Sequence, residues 1–297
     1  MQRPFFICLA LSIFVMVSGC STSSPTGTEE GQDPTGTIVF VSDRDGDYEI
    51  YSVSLDTGNL VKLTDNDVRD RYPDISSDGT RVAFTRGHGQ VDEVYVIDIG
   101  GGNELRITDN ETDESCPVWN SDDSRLVFGT SRDGNWEIYT MDADGSDPER
   151  VTSFAEYDSD PGWSSDDLQI VFESEHAGDQ EVYIIGADGT GATNVTDNGA
   201  EDGDPDWSPV GSKIVFNSDL DGDFEIYTIN PDGTGLTQLT NNTADDQDPQ
   251  WSPDGEFIVF GSDRTGNYEI YVMRADGTSQ TRITNDPGED WWPSWGQ

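Results

Sequence analysis

Two loops carry acids at a spacing that could ligate a metal ion. Both contain the pattern Asp-x-Asp-Gly-Asp, with these acids: Asp43, Asp45, Asp47, Asp219, Asp221 and Asp223. Carboxylates that alternate along the chain supply the hard oxygen ligands that calcium prefers, so calcium binding at these loops is one hypothesis. The spacing differs from that of an EF-hand loop, and a tight hairpin turn explains the Asp-Gly pairs without any metal.

The sequence contains few other residues or motifs that could catalyse a reaction. The two histidines, His88 and His176, lie 88 residues apart, which is twice the 44-residue repeat of this chain and too far for one metal to bridge. The sequence contains no nucleophile-elbow, P-loop or dinucleotide-binding motif. A carboxylate pair of the glycosidase type stays an alternative, because the chain has 60 acids and no single pair stands out.

One repeated position, directly before a proline, varies in its chemistry. It holds an acid in three repeats: Asp160, Asp204 and Asp248. Cys116 takes the same position in another repeat, as a reactive thiol or simply as a small residue. Trp292 takes it in the last repeat and follows Trp291. If the repeats surround a central channel, these two aromatics lie at its mouth. They would then either form a platform that binds a sugar or peptide, or pack so as to hold the final strand in place.

The charge of the chain limits its partners. Lysine and arginine total 15 against 60 acids, which gives a net charge of -45 and a pI near 4.1. Such a chain repels nucleic acid and anionic membrane surfaces, and it attracts cations or basic proteins. The 33% hydrophobic and 10% aromatic content, spread evenly along the chain, predicts a folded protein in spite of this charge.

A repeat of 44 residues organises the chain. Tyrosine recurs at this step in six places: Tyr51, Tyr95, Tyr139, Tyr183, Tyr227 and Tyr271. A fixed period in the forties without helical patterning is typical of a β-propeller blade, and each period divides into four short strands separated by Gly-rich turns. The final repeat stops after "WPSWGQ", whereas the first begins directly at "GTIVF". We therefore expect the C-terminal strand to complete the N-terminal blade of a closed six-bladed, all-β propeller.

The repeated text "DPxWSPDGxxIVFxSxRxGxxEIYxMxADGT" resembles the repeat of TolB-like propellers, a WD-repeat-like family of the bacterial envelope. The resemblance covers residues 36–297. It implies a six-bladed ring with a central channel, a fold that this family uses mainly to bind proteins. A propeller signature indicates fold more than activity.

A ring of acids is expected near one mouth of this channel. Each repeat has an acid three residues before its proline: Asp70, Glu114, Asp158, Asp202, Asp246 and Asp290. Because like charges this crowded repel, the face is expected to bind cations or to raise some carboxylate pKa values. Three interpretations stay open, namely a solvated acidic surface suited to a salty habitat, a docking face for a basic protein or peptide, and calcium bound at the two Asp-x-Asp-Gly-Asp loops.

The first 35 residues have the features of an export and anchoring segment. An apolar run of thirteen residues ends in "VSGC", which resembles a lipobox that would leave Cys20 as a lipidated N-terminus. Ordinary secretory cleavage is the alternative. We expect a signal peptide at residues 1–19, a flexible lipidated tether at 20–35 and the propeller at 36–297.

These features predict a monomeric binding or scaffolding propeller of the cell envelope, held at a membrane only by its lipid and facing the periplasm or exterior. The expected partner is a basic protein or peptide, not nucleic acid, and no cofactor is required, calcium being the one candidate. Two alternatives remain: a propeller hydrolase or lyase that acts on polysaccharide or peptide through channel carboxylates, and a calcium-binding propeller.

Overall fold

In the computed structural model, residues 33–89, 91–176 and 178–296 are described. Residues from Pro34 onward form one compact unit, and its described part consists of strands, turns and loops. No helix within these described ranges is long and apolar enough to cross a membrane.

The strands form six four-stranded antiparallel sheets, which we number as blades. The first three blades contain the following strands, from the innermost strand outward. Blade 1 has β24 (Asp290–Gly296), β1 (Thr37–Ser42), β2 (Glu49–Ser54) and β3 (Leu60–Lys62). Blade 2 has β4 (Asp70–Ile75), β5 (Arg81–His88), β6 (Val91–Asp98) and β7 (Gly102–Arg106). Blade 3 has β8 (Glu114–Trp119), β9 (Arg125–Thr130), β10 (Glu137–Asp142) and β11 (Glu149–Arg150).

The other three blades repeat this order. Blade 4 has β12 (Asp158–Trp163), β13 (Gln169–Ser174), β14 (Glu181–Gly186) and β15 (Thr193–Asn194). Blade 5 has β16 (Asp202–Trp207), β17 (Ile214–Ser218), β18 (Glu225–Ile229) and β19 (Thr237–Gln238). Blade 6 has β20 (Asp246–Trp251), β21 (Phe257–Ser262), β22 (Glu269–Arg274) and β23 (Thr281–Arg282). The predicted six-bladed, all-β propeller is confirmed.

The last strand closes the ring by pairing with the first. Strand β24 runs antiparallel to β1, with Asp290 opposite Ser42 and Gly296 opposite Thr37. The indole Nε1 of Trp295 donates a hydrogen bond of 3.0 Å to the carbonyl oxygen of Thr35. Blade 1 therefore contains both ends of the propeller sequence, and the inner edge of β1 is paired rather than exposed.

The hydrophobic core lies between neighbouring blades. Each of the six clusters combines apolar side chains of two adjacent sheets; one of them joins Phe40 of blade 1 to Val259 and Val272 of blade 6. The central strands of the blades carry these side chains on both faces, because each sheet is covered by a neighbour on either side. Packing between blades thus holds the inner strands in a ring around the channel.

Candidate functional site

The central channel contains a small cavity built from three equivalent residues of five inner strands and two of them in β24. Its volume is about 110 Å³, and it is lined by the repeated proline and the residues on either side of it. The residue before each proline has a positive φ: Tyr72 (52°), Cys116 (49°), Asp160 (46°), Asp204 (49°), Asp248 (54°) and Trp292 (47°).

A β-bulge at this position explains the unusual backbone. Pairing between the inner strand and its neighbour shifts register there, for example between Ser159 and Gly162 of β12. The extra residue of a bulge lies outside the regular alternation of side chains, which allows it to be aimed elsewhere. In each blade, the fold therefore presents to the channel a residue whose type differs among the repeats.

One wall of the cavity is acidic. Asp160, Asp204 and Asp248 come from the consecutive blades 4, 5 and 6, and buried Glu173 of β13 lies behind them. Single carboxylate oxygens of Asp160, Glu173 and Asp204 all lie within 4.8 Å of one another, so this cluster has the ligand spacing of a metal site. Ser159 Oγ donates to Glu173 Oε1 at 2.5 Å, and the backbone N–H of Asp204 donates to Glu173 Oε2 at 3.3 Å.

Crowding of these acids in a buried place changes their protonation. Burial, reinforced by the charge of Asp160, raises the pKa of Glu173 to about 8 and that of Asp248 to about 7. Burial and the charge of Asp248 also raise the pKa of Asp204 well above its usual range. This wall consequently holds protons near neutral pH, and a bound cation would displace them.

Cys116 extends the acidic wall as a hydrogen-bond donor. Its thiol donates to Asp160 Oδ1 at a Sγ–Oδ1 distance of 2.8 Å. Burial, followed by the charge of Asp160, raises the pKa of this thiol well above its usual range. Because the reactive species is the thiolate, the environment suppresses nucleophilic chemistry at this residue.

The opposite wall of the cavity is aromatic. Trp292 of blade 1 and Tyr72 of blade 2 line it, with ring centroids 4.5 Å apart. Trp291 instead stacks on Tyr268 at 3.6 Å and pairs in register with Val41 of β1. The two tryptophans thus divide the roles that the sequence left open, since Trp292 faces the cavity whereas Trp291 packs against the neighbouring blade.

The expected surface ring of acids is corrected by the structure. All six side chains are 0% exposed: Asp70, Glu114, Asp158, Asp202, Asp246 and Asp290. Each opens an inner strand, and in blade 2 the amide of Asn66 joins Asp70 to Glu49 of blade 1. These acids are therefore buried at the start of the inner strands and do not form an exposed ring at the channel mouth.

The two Asp-x-Asp-Gly-Asp loops direct their acids to separate partners. Glycines at the turns, Gly46 and Gly222, have φ values of 110° and 118°, which accounts for the Asp-Gly pairs. In the first loop, Asp43 Oδ1 accepts from the backbone of Glu289 at 2.8 Å, whereas Asp45 Oδ2 accepts from the Tyr51 hydroxyl at 2.5 Å.

In the second loop, Asp219 accepts from the backbone of Glu201 at 2.9 Å, and Asp221 accepts from Gln238 Nε2 at 2.6 Å. Among the described residues, the clusters with metal-ligand spacing lie elsewhere. Calcium binding at these loops therefore stays an untested prediction.

The second cluster with metal-ligand spacing already contains a positively charged arginine side chain. It comprises Glu269, Asp286 and Asp290, and Arg44 Nη2 lies 2.7 Å from Asp286 and 3.0 Å from Asp290. Since the guanidinium neutralises these carboxylates, the channel cluster around Glu173 is the better place for a bound cation.

His176 lies outside the channel site. Its side chain is half exposed, with Nδ1 3.1 Å from Glu156 Oε2 and the ring 4.8 Å from that of Phe154. His88 ends strand β5. The predicted lipidation site, Cys20, and the signal peptide lie outside the described residues.

Comparison with known proteins places this geometry in a family. A family model described as the TolB beta propeller domain matches residues 72–207 and 200–297. The curated Protein TolB homolog of Chlorobium luteolum is 52% identical over 48 residues, which are 16% of this chain and 11% of that protein. The chain thus matches only about a tenth of the length of this relative.

Solved structures show the same fold at low identity. TolB from Acinetobacter baumannii superposes with a TM-score of 0.76 at 20% identity, over 88% of this chain and 67% of the other. An oligogalacturonate lyase in complex with manganese gives a TM-score of 0.60 at 20% identity, over 85% and 74% of the two chains. On the family match over most of its length, the chain belongs to the TolB beta propeller domain family.

Proposed function

We propose that this protein is a non-catalytic binding module of the bacterial cell envelope, and that its channel mouth receives a basic segment of a partner protein. The propeller would be held near a membrane by a lipid on Cys20 and the tether at residues 20–35. Family membership and the sequence features of the N-terminus support this assignment.

The observation that carries the proposal is the division of the cavity into an acidic wall and an aromatic wall. Carboxylates attract an ammonium or guanidinium group, and aromatic ring faces bind the same groups through cation–π contacts. A drug-sized ligand needs a pocket of roughly 300–1,000 Å³. At about 110 Å³, this cavity suits one side-chain head group delivered by a larger partner.

An enzyme is the alternative function, and one observation favours it. Buried Glu173, with its pKa raised to about 8 beside Asp160, has the properties of a general acid. The net charge of -45 argues against anionic substrates such as the oligogalacturonate named for one structural neighbour, because the whole chain would repel them.

A binding assay with matched charge variants tests the proposal. A fluorescent peptide rich in lysine and arginine is titrated against the wild type and an Asp204→Asn/Asp248→Asn variant at moderate salt. We expect the variant to bind at least about tenfold more weakly, which is about 1.4 kcal/mol. An Asp67→Asn/Glu111→Gln variant removes two exposed acids and serves as the control. Equal losses in both variants would contradict a channel site and indicate binding by net charge alone.

A further inference from the structure

Four blades contain an arginine that neutralises the buried acid of the inner strand. The pairs are Arg44–Asp290 (3.0 Å), Arg86–Asp70 (2.6 Å), Arg132–Glu114 (3.2 Å) and Arg264–Asp246 (2.7 Å). In blade 6, Arg264 Nη2 contacts both carboxylate oxygens of Asp246, and its guanidinium lies 4.6 Å from the ring centroid of Tyr271. We call this arrangement the arginine clamp.

Blade 5 has every part of the clamp except the arginine. Leu220 stands 44 residues before Arg264, at the equivalent place in the hairpin. The aromatic pair is kept, with the rings of Phe216 and Tyr227 5.9 Å apart. Asp202 is also kept and is 0% exposed. The blade therefore retains a receptor for a guanidinium group that its own sequence does not supply.

The carboxylate of Asp202 is left incompletely satisfied. Its Oδ2 accepts from Asn198 Nδ2 at 2.5 Å, but no hydrogen-bond donor among the described residues meets its Oδ1 in suitable geometry. Burial raises its pKa, and the nearby hydroxyl of Ser218 opposes that shift. A buried carboxylate oxygen without a donor costs free energy that an incoming donor would recover.

The surrounding sequence offers no substitute cation. No lysine or arginine occurs between Arg150 and Lys213, a segment that includes all of blade 4 and the inner strand of blade 5. In the completed clamps the arginine side chains remain 11–24% exposed, so the guanidinium position opens to solvent. Leu220 stands at the equivalent sequence position in blade 5, and its side chain is 47% exposed.

We propose that blade 5 binds an arginine side chain of a partner protein, which places its guanidinium against Asp202 and over the rings of Phe216 and Tyr227. The partner would complete in trans the clamp that four other blades complete in cis. This site is distinct from the channel cavity, and it rests on the proposed function only in that the partner is basic.

Blocked arginine, N-acetyl-arginine amide, is the probe that tests the site. It is titrated into the full chain with the methyl signals of Leu220 followed by NMR, beside the uncharged citrulline analogue and the blocked lysine analogue. We expect saturable shifts with arginine, none with citrulline, and at least about fivefold weaker binding of lysine, whose ammonium lacks the planar fork. Equal responses to all three would overturn the proposal.

Three substitutions make the assignment specific to the clamp. Leu220→Arg fills the position from within the blade and should abolish the arginine response, whereas Leu220→Ala should retain it; these two variants are followed through the ring signals of Tyr227. Arg264→Leu recreates the blade 5 arrangement around Asp246 and should add a second site of similar affinity. Unchanged arginine binding by Leu220→Arg would overturn the inference.

The channel variant separates this inference from the proposed function. Asp204→Asn/Asp248→Asn should leave the arginine response of blade 5 intact while it weakens binding of the basic peptide. Loss of peptide binding in the channel variant, together with an arginine response that survives Leu220→Arg, would support the channel and exclude the clamp site. The reverse pattern would exclude the channel and support the clamp.

Discussion

The thiol of Cys116 donates its proton toward Asp160 Oδ1 across a distance of 2.8 Å, inside the channel. This contact links blade 3 to the acidic wall of blade 4. Its chemistry is that of a protonated thiol next to a carboxylate, because burial raises the thiol pKa.

Alkylation of Cys116 should be slow in the folded protein. At pH 7.5 we expect iodoacetamide to modify the Cys116 peptide at least about a hundredfold more slowly than in urea, since both burial and the scarcity of thiolate oppose the reaction. Mass spectrometry of that peptide with time measures the rate. Comparable rates in the folded and unfolded chain would contradict a buried, protonated thiol.

The stability of the propeller should fall as the pH rises above about 5. The pKa of Glu173 is raised from 4.5 to about 8, so the folded state holds a proton that the unfolded chain releases. Stability is therefore lost progressively between these two pKa values. Urea unfolding at pH 5 and pH 8 measures the effect.

Glu173→Gln provides the matched control for this pH dependence. The amide keeps the shape and an acceptor for Ser159 but cannot ionise. We expect Glu173→Gln to unfold with a free energy roughly 1–3 kcal/mol above that of the wild type at pH 8, and with little difference at pH 5. Parallel pH profiles for the two proteins would mean that Glu173 titrates normally.

The arginine clamps should be measurable as stability. Arg264→Leu leaves Asp246 buried and unpaired, which we expect to lower the free energy of unfolding by about 2–4 kcal/mol. Leu220→Arg supplies the missing partner of Asp202 and should raise the free energy of unfolding by about 0.5–1.5 kcal/mol. Chemical denaturation of both variants checks the pair, and destabilisation by Leu220→Arg would argue that blade 5 cannot accommodate a guanidinium.

Ring closure should depend strongly on Trp295. This side chain is 5% exposed and packs on Phe257 with ring centroids 6.0 Å apart. Trp295→Ala should cost about 3–5 kcal/mol, because it opens a cavity in the sheet that joins the two ends of the propeller. Leu236→Ala, at a side chain 45% exposed, should cost less than about 0.5 kcal/mol. Thermal unfolding compares them.

Calcium should not stabilise the protein through its first Asp-x-Asp-Gly-Asp loop more than magnesium does. Asp43 accepts a hydrogen bond from the backbone of Glu289, and Asp45 accepts one from the Tyr51 hydroxyl. Because the two carboxylates are held by different donors, they do not converge on one metal position. Thermal unfolding with equal concentrations of either ion, after treatment with a chelator, tests this. A calcium-specific rise in Tm that disappears in Asp43→Asn/Asp45→Asn would establish a calcium site at the first loop.

The number and order of the blades could be predicted from the sequence because each blade corresponds to one repeat. A step of 44 residues for the core Phe and Tyr positions fixes the number of blades, and the missing first strand indicates how the ring closes. The same regularity did not reveal that the repeated acids are buried. Asp202 and its five equivalents open the inner strands, and their side chains are 0% exposed.

The channel wall was harder to predict because a bulge interrupts the alternation of side chains. A shift of one residue moves every later side chain to the other face of a strand, and sequence periodicity alone does not reveal it. Two signals were present. The position of Asp204 varies among the repeats, and Glu173 is the one acid at a position that other repeats fill with uncharged residues: Val41, Thr85, Gly129, Asn217 and Gly261.

Pairing of β24 with β1 also sets the order of events during synthesis. Among the described strands, β24 is synthesised after all the others, yet it supplies the innermost part of the sheet that begins with β1. Blade 1 therefore keeps an open edge on β1 until β24 has emerged from the ribosome. Shorter nascent chains lack a closed ring, and the packing of blade 1 is completed only when residues 290–296 are in place.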